Sequence, residues 1–445
     1  MVAGAALVLD LPLGLAFVAA CAFVPLVLLS LPLAVAAWIP VAWNEYSHVL
    51  GKAPLAGALL LLVAWIGTRR ARGAVVAADR SVRVARIAFV LLLVWITLSM
   101  GWVSDRADAW DDVLGWYFAG AAFLLVTTVA TTPARVRLVA LAFVAGGLAS
   151  IVIGLTGSGL STTANAIDLA TRARFSGGAG DPNYLAAGLI AAIALAAGLL
   201  PSARDPLAKL GLVATVIALA GGLAATESRG GLIAALVAAG AALLLARERR
   251  AETAAFGVFA IAAVTVFLLL SPSSWQRITT FDAGGTGRTE LWRVAVRMAG
   301  DHPIQGVGIR GFEHEAKAYV LRPGSLTFVK KIAEQPSVAH NVYLQQLAET
   351  GIVGLLLLLA VCGACLTASH SAAGRFRASG DRPMTTLARA STVAMIGLLA
   401  ASTFISNGPD KRLWIVLALG PALLAAAGPE RRASARAAQP AASRS

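Results

Sequence analysis

Apolar runs of roughly 16 to 27 residues recur from one end of the chain to the other, each near the length that crosses a bilayer as a helix. The pattern predicts about twelve such helices, over residues 13–39, 54–68, 87–103, 113–131, 138–156, 183–200, 210–226, 231–246, 254–270, 351–369, 386–405 and 412–428. The first run, Leu13 to Ile39, is punctuated by Pro25 and Pro32 and reads as a kinked span. No internal repeat is visible. One connection breaks the rule of short loops: residues 272–350 separate helices nine and ten and offer Trp275, Trp292, Phe312, Tyr319 and Phe328 for packing. Connections this long are usually functional. The expected organisation is helices one to nine in 1–271, a large and partly helical loop in 272–350, helices ten to twelve in 351–428, and a disordered Ala/Arg/Ser-rich tail in 429–445. The fold class predicted is an all-α polytopic membrane protein.

Composition agrees. Of 445 residues, 58% are hydrophobic and 13% charged, where a soluble chain is about half apolar and a quarter charged. A soluble enzyme is excluded. The net charge of +14 would suggest nucleic acid in a soluble protein. Here most of the excess sits in short loops beside apolar runs, where it reports topology and anionic headgroups, so no nucleic-acid partner is expected.

Arg69, Arg70, Arg72, Arg80, Arg83 and Arg86 share one side with the pairs Arg135/Arg137 and Arg204/Lys209, and with the clusters at 247–250, 375–382 and 431–444. The opposite short loops hold about seven basic residues against roughly twenty. Both termini are therefore expected in the cytoplasm, with the large loop on the outer face. The first basic residue is Lys52, so no positive region marks a cleaved signal peptide. Cys21, Cys362 and Cys365 lie inside apolar runs and read as small packing residues.

The unusual polar residues gather on the outer face. A Gly-rich loop runs from Arg174 to Asp181-Pro182-Asn183, whose turn suits a helix start. Arg229 sits at the outer end of a helix hairpin, against the positive-inside trend, and Arg288 lies in the large loop. Alone, each reads as a snorkelling or salt-bridged arginine. Together they suit a diphosphate, because planar guanidinium groups bind phosphate bidentately. His340 precedes an apolar helix and, with an ordinary pKa near 6.5, is the natural general base near neutral pH. Glu313-His314-Glu315 lacks the second histidine of a zinc motif, and no metal is expected. Gly306-x-Gly308-x-x-Gly311 matches a dinucleotide fingerprint in form only, without a βαβ unit, and reads as a turn.

Thr-x-Ser-Arg-Gly at 226–230, Gly-Arg-x-x-Leu-Trp at 287–292, His-Pro-x-x-Gly-x-Gly at 302–308 and His-Asn-x-Tyr-Leu-Gln-x-Leu-x-Glu-x-Gly at 340–351 resemble the O-antigen ligase and polymerase family, in the family's order. The resemblance covers about residues 172 to 360; the first 150 residues contribute topology alone. It implies a glycosyltransferase of the bacterial inner membrane, acting on undecaprenyl-diphosphate-linked glycans at the periplasmic face without a metal, nucleotide sugar or other cofactor. The ligase branch transfers the glycan to a sugar hydroxyl of lipid A–core. The polymerase branch joins lipid-linked repeat units.

Carried over, the essential histidine falls on His340 and the diphosphate-binding arginines on Arg229 and Arg288. Arg174, Asp181, Asn183 and Asn341 are expected to contribute to substrate binding. The single large loop favours the ligase over the polymerase. A transporter is a distant alternative, because the spans carry almost no mid-membrane charge.

Overall fold

The computed structural model describes residues 22–45, 50, 52–72, 79–158, 160–161, 174–245, 288–322 and 337–428. The predicted span at 254–270, the first residues of the span at 13–39, Cys21, Trp275, Phe328 and the tail at 429–445 lie outside them. Helical residues 22–29 break at Ser30, ahead of Pro32, and α1 (Leu31–Trp43) follows. Then come α2 (Ala53–Arg72), α3 (Arg80–Ser99), α4 (Arg106–Val129) and α5 (Pro133–Ile153). After a two-residue ladder pairing Leu160 with Phe175, the chain forms α6 (Pro182–Leu199), α7 (Pro206–Ala225) and α8 (Arg229–Leu245). The insert supplies α9 (Arg288–Asp301) and α10 (Gly311–Val320), and α11 (Val342–Ala378), α12 (Arg382–Ala401) and α13 (Lys411–Ala426) complete the bundle.

Seven of these helices are long and apolar enough to span a bilayer, and α1, α8 and Ala53–Thr68 of α2 are shorter apolar helices. Their outward faces expose large apolar side chains such as Leu28, Val63, Leu207 and Leu244. In water such a belt is a liability; against lipid it is the ordinary exterior. The chain is an all-α, multi-pass membrane protein.

Helix starts follow simple chemistry. Asp105, Thr132, Asp181, Asp205, Asn341, Asp381 and Asp410 each accept a backbone N–H of the first helical turn. In four of these, proline occupies the first turn, where its missing N–H costs nothing. Short turns between successive helices make their directions alternate. One end of the bundle therefore carries 99–106, 154–158, 174–181, 226–229 and 402–410 together with α9 and α10.

At the centre stands α13, buried from Lys411 through Leu424. Close approach comes from small residues: a Cβ on Gly420 would meet the Cys365 carbonyl at 2.2 Å. Gly146 of α5 and Gly188 of α6 likewise form the groove that takes the indole of Trp43. Buried Cys362 and Cys365 face this packed interior.

The helix expected at 351–369 begins at Val342 and runs to Ala378, with a break at Gly351 (φ 66°). The break is stitched by the 302–309 segment. Ile352 N donates to Pro303 O, Val307 N to Ala348 O, and Gly308 N to Glu349 O. Trp95 Nε1 caps Thr350 O at 2.8 Å. Backbone groups freed by the kink thus find partners inside the protein, as a membrane helix requires. Beyond the kink, Leu291, Val294, Met298, Phe312 and Tyr319 form a small separate core that holds α9 and α10 on the first turns of α11.

Candidate functional site

His340 sits at the mouth of α11 with a left-handed backbone (φ 48°), a conformation more accessible to His than to branched residues. The next residue, Asn341, caps the helix through Tyr343 N and Leu344 N. Val342 N then donates to Ser402 O at 3.0 Å, tying the helix start to the 402–410 loop. The imidazole Nε2 lies 3.4 Å from Ser337 Oγ.

Arg288 opens α9 and Arg229 opens α8. Asp181 caps α6 by accepting Asn183 N at 2.7 Å and Tyr184 N at 3.2 Å. These four residues come from four distant parts of the chain, and three of them lie within electrostatic reach of Arg288. Arg288 interacts electrostatically with Asp181, Arg229 and His340, and His340 with Asp181. Burial, and then the Arg288 guanidinium, push the His340 pKa down to about 4, with Asp181 opposing. The imidazole is neutral at neutral pH, in its proton-accepting form. Burial also holds Arg288 below the usual arginine range; Asp181 opposes this and Arg229 adds to it. Two guanidinium groups within electrostatic reach of each other, opposed by one carboxylate, favour an anion.

The remaining polar residues hold the frame. Arg174 donates Nε and Nη2 to Thr226 O, at 3.2 and 2.7 Å, clamping the turn that presents Arg229. Ser228 Oγ of the same turn donates to Asn183 Oδ1 at 2.8 Å. The Gly306–Gly311 segment is a turn: Gly306 N donates to His302 O, Gly308 N to Glu349 O and Gly311 N to Gly308 O, so these amides are engaged by carbonyls.

His302 stands at the far end of α9, about 20 Å along the helix from Arg288 at 1.5 Å per residue. His314 joins Asp108 at 3.7 Å in an exposed charge network. There Arg310 pairs with Asp108, Asp112 and Glu313, docking α10 on α4. Ligand atoms of Asp105, Asp108 and His314 come within 4.8 Å of one another in that network.

Buried charge at the start of α13 escapes a reading of the sequence. Lys411 pairs with Glu45, and Arg412 with Asp410. In sequence they look like ordinary loop charges flanking an apolar run. The available signal was that both signs occur together on the face where basic residues are otherwise scarce.

Residues 214–359 match a family model described as O-antigen ligase. The chain carries a domain of the O-antigen ligase family. The matched stretch includes Arg229, Arg288 and His340, while Arg174, Asp181 and Asn183 precede it. No curated protein matches the chain. The ligase-family domain thus begins within α7 and ends within α11, spanning the insert and the break at Gly351. It supports a ligase or polymerase type of activity in general.

Proposed function

We propose that the protein is an O-antigen ligase of the bacterial inner membrane. In this reading it transfers a glycan from undecaprenyl diphosphate to a sugar hydroxyl of lipid A–core on the periplasmic face. The observation that carries the reading is that His340, Arg229 and Asp181 all lie within electrostatic reach of Arg288 at one end of the bundle.

In the proposed step the acceptor hydroxyl attacks the anomeric carbon, forming the new C–O bond. Its proton passes to the imidazole of His340. The bond from the anomeric carbon to the diphosphate oxygen breaks, and the electron pair leaves with undecaprenyl diphosphate. Attack opposite the leaving group inverts the configuration. Arg288 and Arg229 stabilise charge growing on the diphosphate, the kind of electrostatic role that often dominates catalysis. Arg174, Asp181, Asn183 and Asn341 hold the loops that carry these groups, where they flank the bound substrate.

A histidine with a pKa near 4 is by itself a weak base. Donor binding changes that. A diphosphate neutralising Arg288 removes one of the charges that suppress protonation, so the imidazole gains basicity when the leaving group is in place.

The test is deletion of the gene, followed by gel analysis of lipopolysaccharide and of lipid-linked polymer. Core without O-antigen, with long glycan accumulating on undecaprenyl diphosphate, is the expected result. Core capped by a single repeat unit would assign the polymerase reaction instead. An unchanged gel would overturn both.

A further inference from the structure

The 402–410 loop and the first residues of α13 touch the carriers of three site residues. Ser402 O receives Val342 N, two residues from His340. Phe404 packs against Gly230, where a Cβ would meet it at 2.7 Å, directly beside Arg229. Ser406 O receives the Tyr184 hydroxyl at 2.7 Å, and Tyr184 N is bonded to Asp181. Behind them Arg412 is 2% exposed and Asp410 7%. Charged residues this buried require partners, and within a membrane bundle they mark function more often than stability.

Arg412 is held by geometry that only a guanidinium supplies. Nε lies 2.9 and 3.0 Å from the two Asp410 oxygens, and Nη2 lies 2.7 Å from Oδ2. Its Cζ lies over the Tyr184 ring at 5.8 Å and the Trp43 ring at 5.3 Å, within cation–π range. Tyr184 is thereby fixed at its ring by Arg412 and at its hydroxyl by Ser406.

A buried ion pair is weak evidence for stability as its purpose, since such pairs are often replaceable by apolar residues at no loss. Trp43 Nε1, Asn44 Oδ1, Ser406 Oγ and Asn407 Oδ1, around the same stack, are also buried without a hydrogen-bond partner among the described residues. Buried polar atoms are ordinarily paired, so each of these calls for an explanation.

We propose that Arg412 is a positioning residue of the transfer site: clamped by Asp410 and stacked on Tyr184, it fixes the 181–184 turn that sets Asp181 against Arg288 and His340. The role rests on the glycosyl transfer proposed above. In this role Arg412 acts through Tyr184 and Asp181. Lysine keeps the charge but loses both the fork and the planar stack.

The test uses the full-length protein in lipid nanodiscs with a lipid-linked glycan donor and a lipid A–core acceptor. Arg412→Lys should lower kcat by roughly ten- to a hundredfold, the scale of a displaced catalytic group, with little change in donor KM. Displacing Asp181 removes a charge that favours protonation of His340, so the acid limb of kcat/KM should move to lower pH. A merely structural loss would not move that limb.

Should Arg412→Lys fail to fold, Tyr184→Phe removes one hydrogen bond and keeps the ring. It should cost about two- to tenfold in kcat. Whichever variant folds, wild-type kcat together with an unmoved acid limb would overturn the role. Absence of transfer by the wild type in the same preparation would overturn the proposed reaction and this role with it.

Discussion

Burial of His340 opposes protonation of its imidazole, and the Arg288 guanidinium, within electrostatic reach, acts in the same direction. With a folded-state pKa near 4, His340 accepts protons across the whole neutral range. The acid limb of kcat/KM, which reports the free enzyme, should therefore lie near pH 4 rather than near 6.5. The limb of kcat should lie higher, because bound diphosphate offsets Arg288. Steady-state rates between pH 3.5 and 8 check both, because the donor's doubly esterified diphosphate does not titrate in that range.

The same shift has a consequence for stability. The folded pKa lies below the unfolded one, so the unfolded chain binds the extra proton between them. The contribution of neutral His340 is complete above about pH 6.5 and is lost as pH falls toward 4. Unfolding of wild type and His340→Gln in detergent should differ most in pH sensitivity within that window.

Arg229 and Arg288 are expected to act through geometry as well as charge. Arg229→Lys and Arg288→Lys should each reduce kcat by about a hundredfold or more, as loss of a donor to a developing anion does. The double substitution should cost less than the product of the two, because both groups address one diphosphate. Single-turnover rates at saturating donor separate this from weakened binding.

Gly351 and Gly363 lie on the same helix and should respond oppositely to alanine. At Gly351, φ is 66° and a Cβ would lie 2.1 Å from Ile304 O, so Gly351→Ala should destabilise by roughly 2 kcal/mol or more. Around Gly363 no atom of the described residues outside its own stretch of helix lies within 4 Å of the added carbon, and Gly363→Ala should be neutral or stabilising by up to about 1 kcal/mol. Thermal unfolding in detergent ranks the pair.

Much of the bundle was legible because its helices are long, apolar and capped by recognisable residues: Asp105, Asp181, Asp205 and Asp381 announce where four of them begin. The spread of basic residues gave the alternation of the loops. Less legible was which helix stands at the centre. An apolar face turned to lipid and one turned to protein look alike in sequence, so the burial of α13 on all sides left no periodic signature.

Asp181, Arg229, Arg288 and His340 could be singled out one by one from residue type and placement. Their meeting depends on how the 402–410 loop and the broken α11 fold back, which no local pattern encodes. The Asp410–Arg412 pair was hidden for a related reason: a charge beside an apolar run reads as a topology signal unless its partners are known.

The most direct measurement is glycan transfer by purified His340→Gln, beside wild type, from a lipid-linked donor to lipid A–core, with the configuration of the new linkage determined. A drop of about a hundred- to ten-thousandfold, with donor binding intact and an inverted linkage made by the wild type, is the expected result for a lost general base. Near-wild-type transfer by His340→Gln, or a retained configuration in the wild-type product, would contradict base catalysis by His340 with direct displacement of the diphosphate.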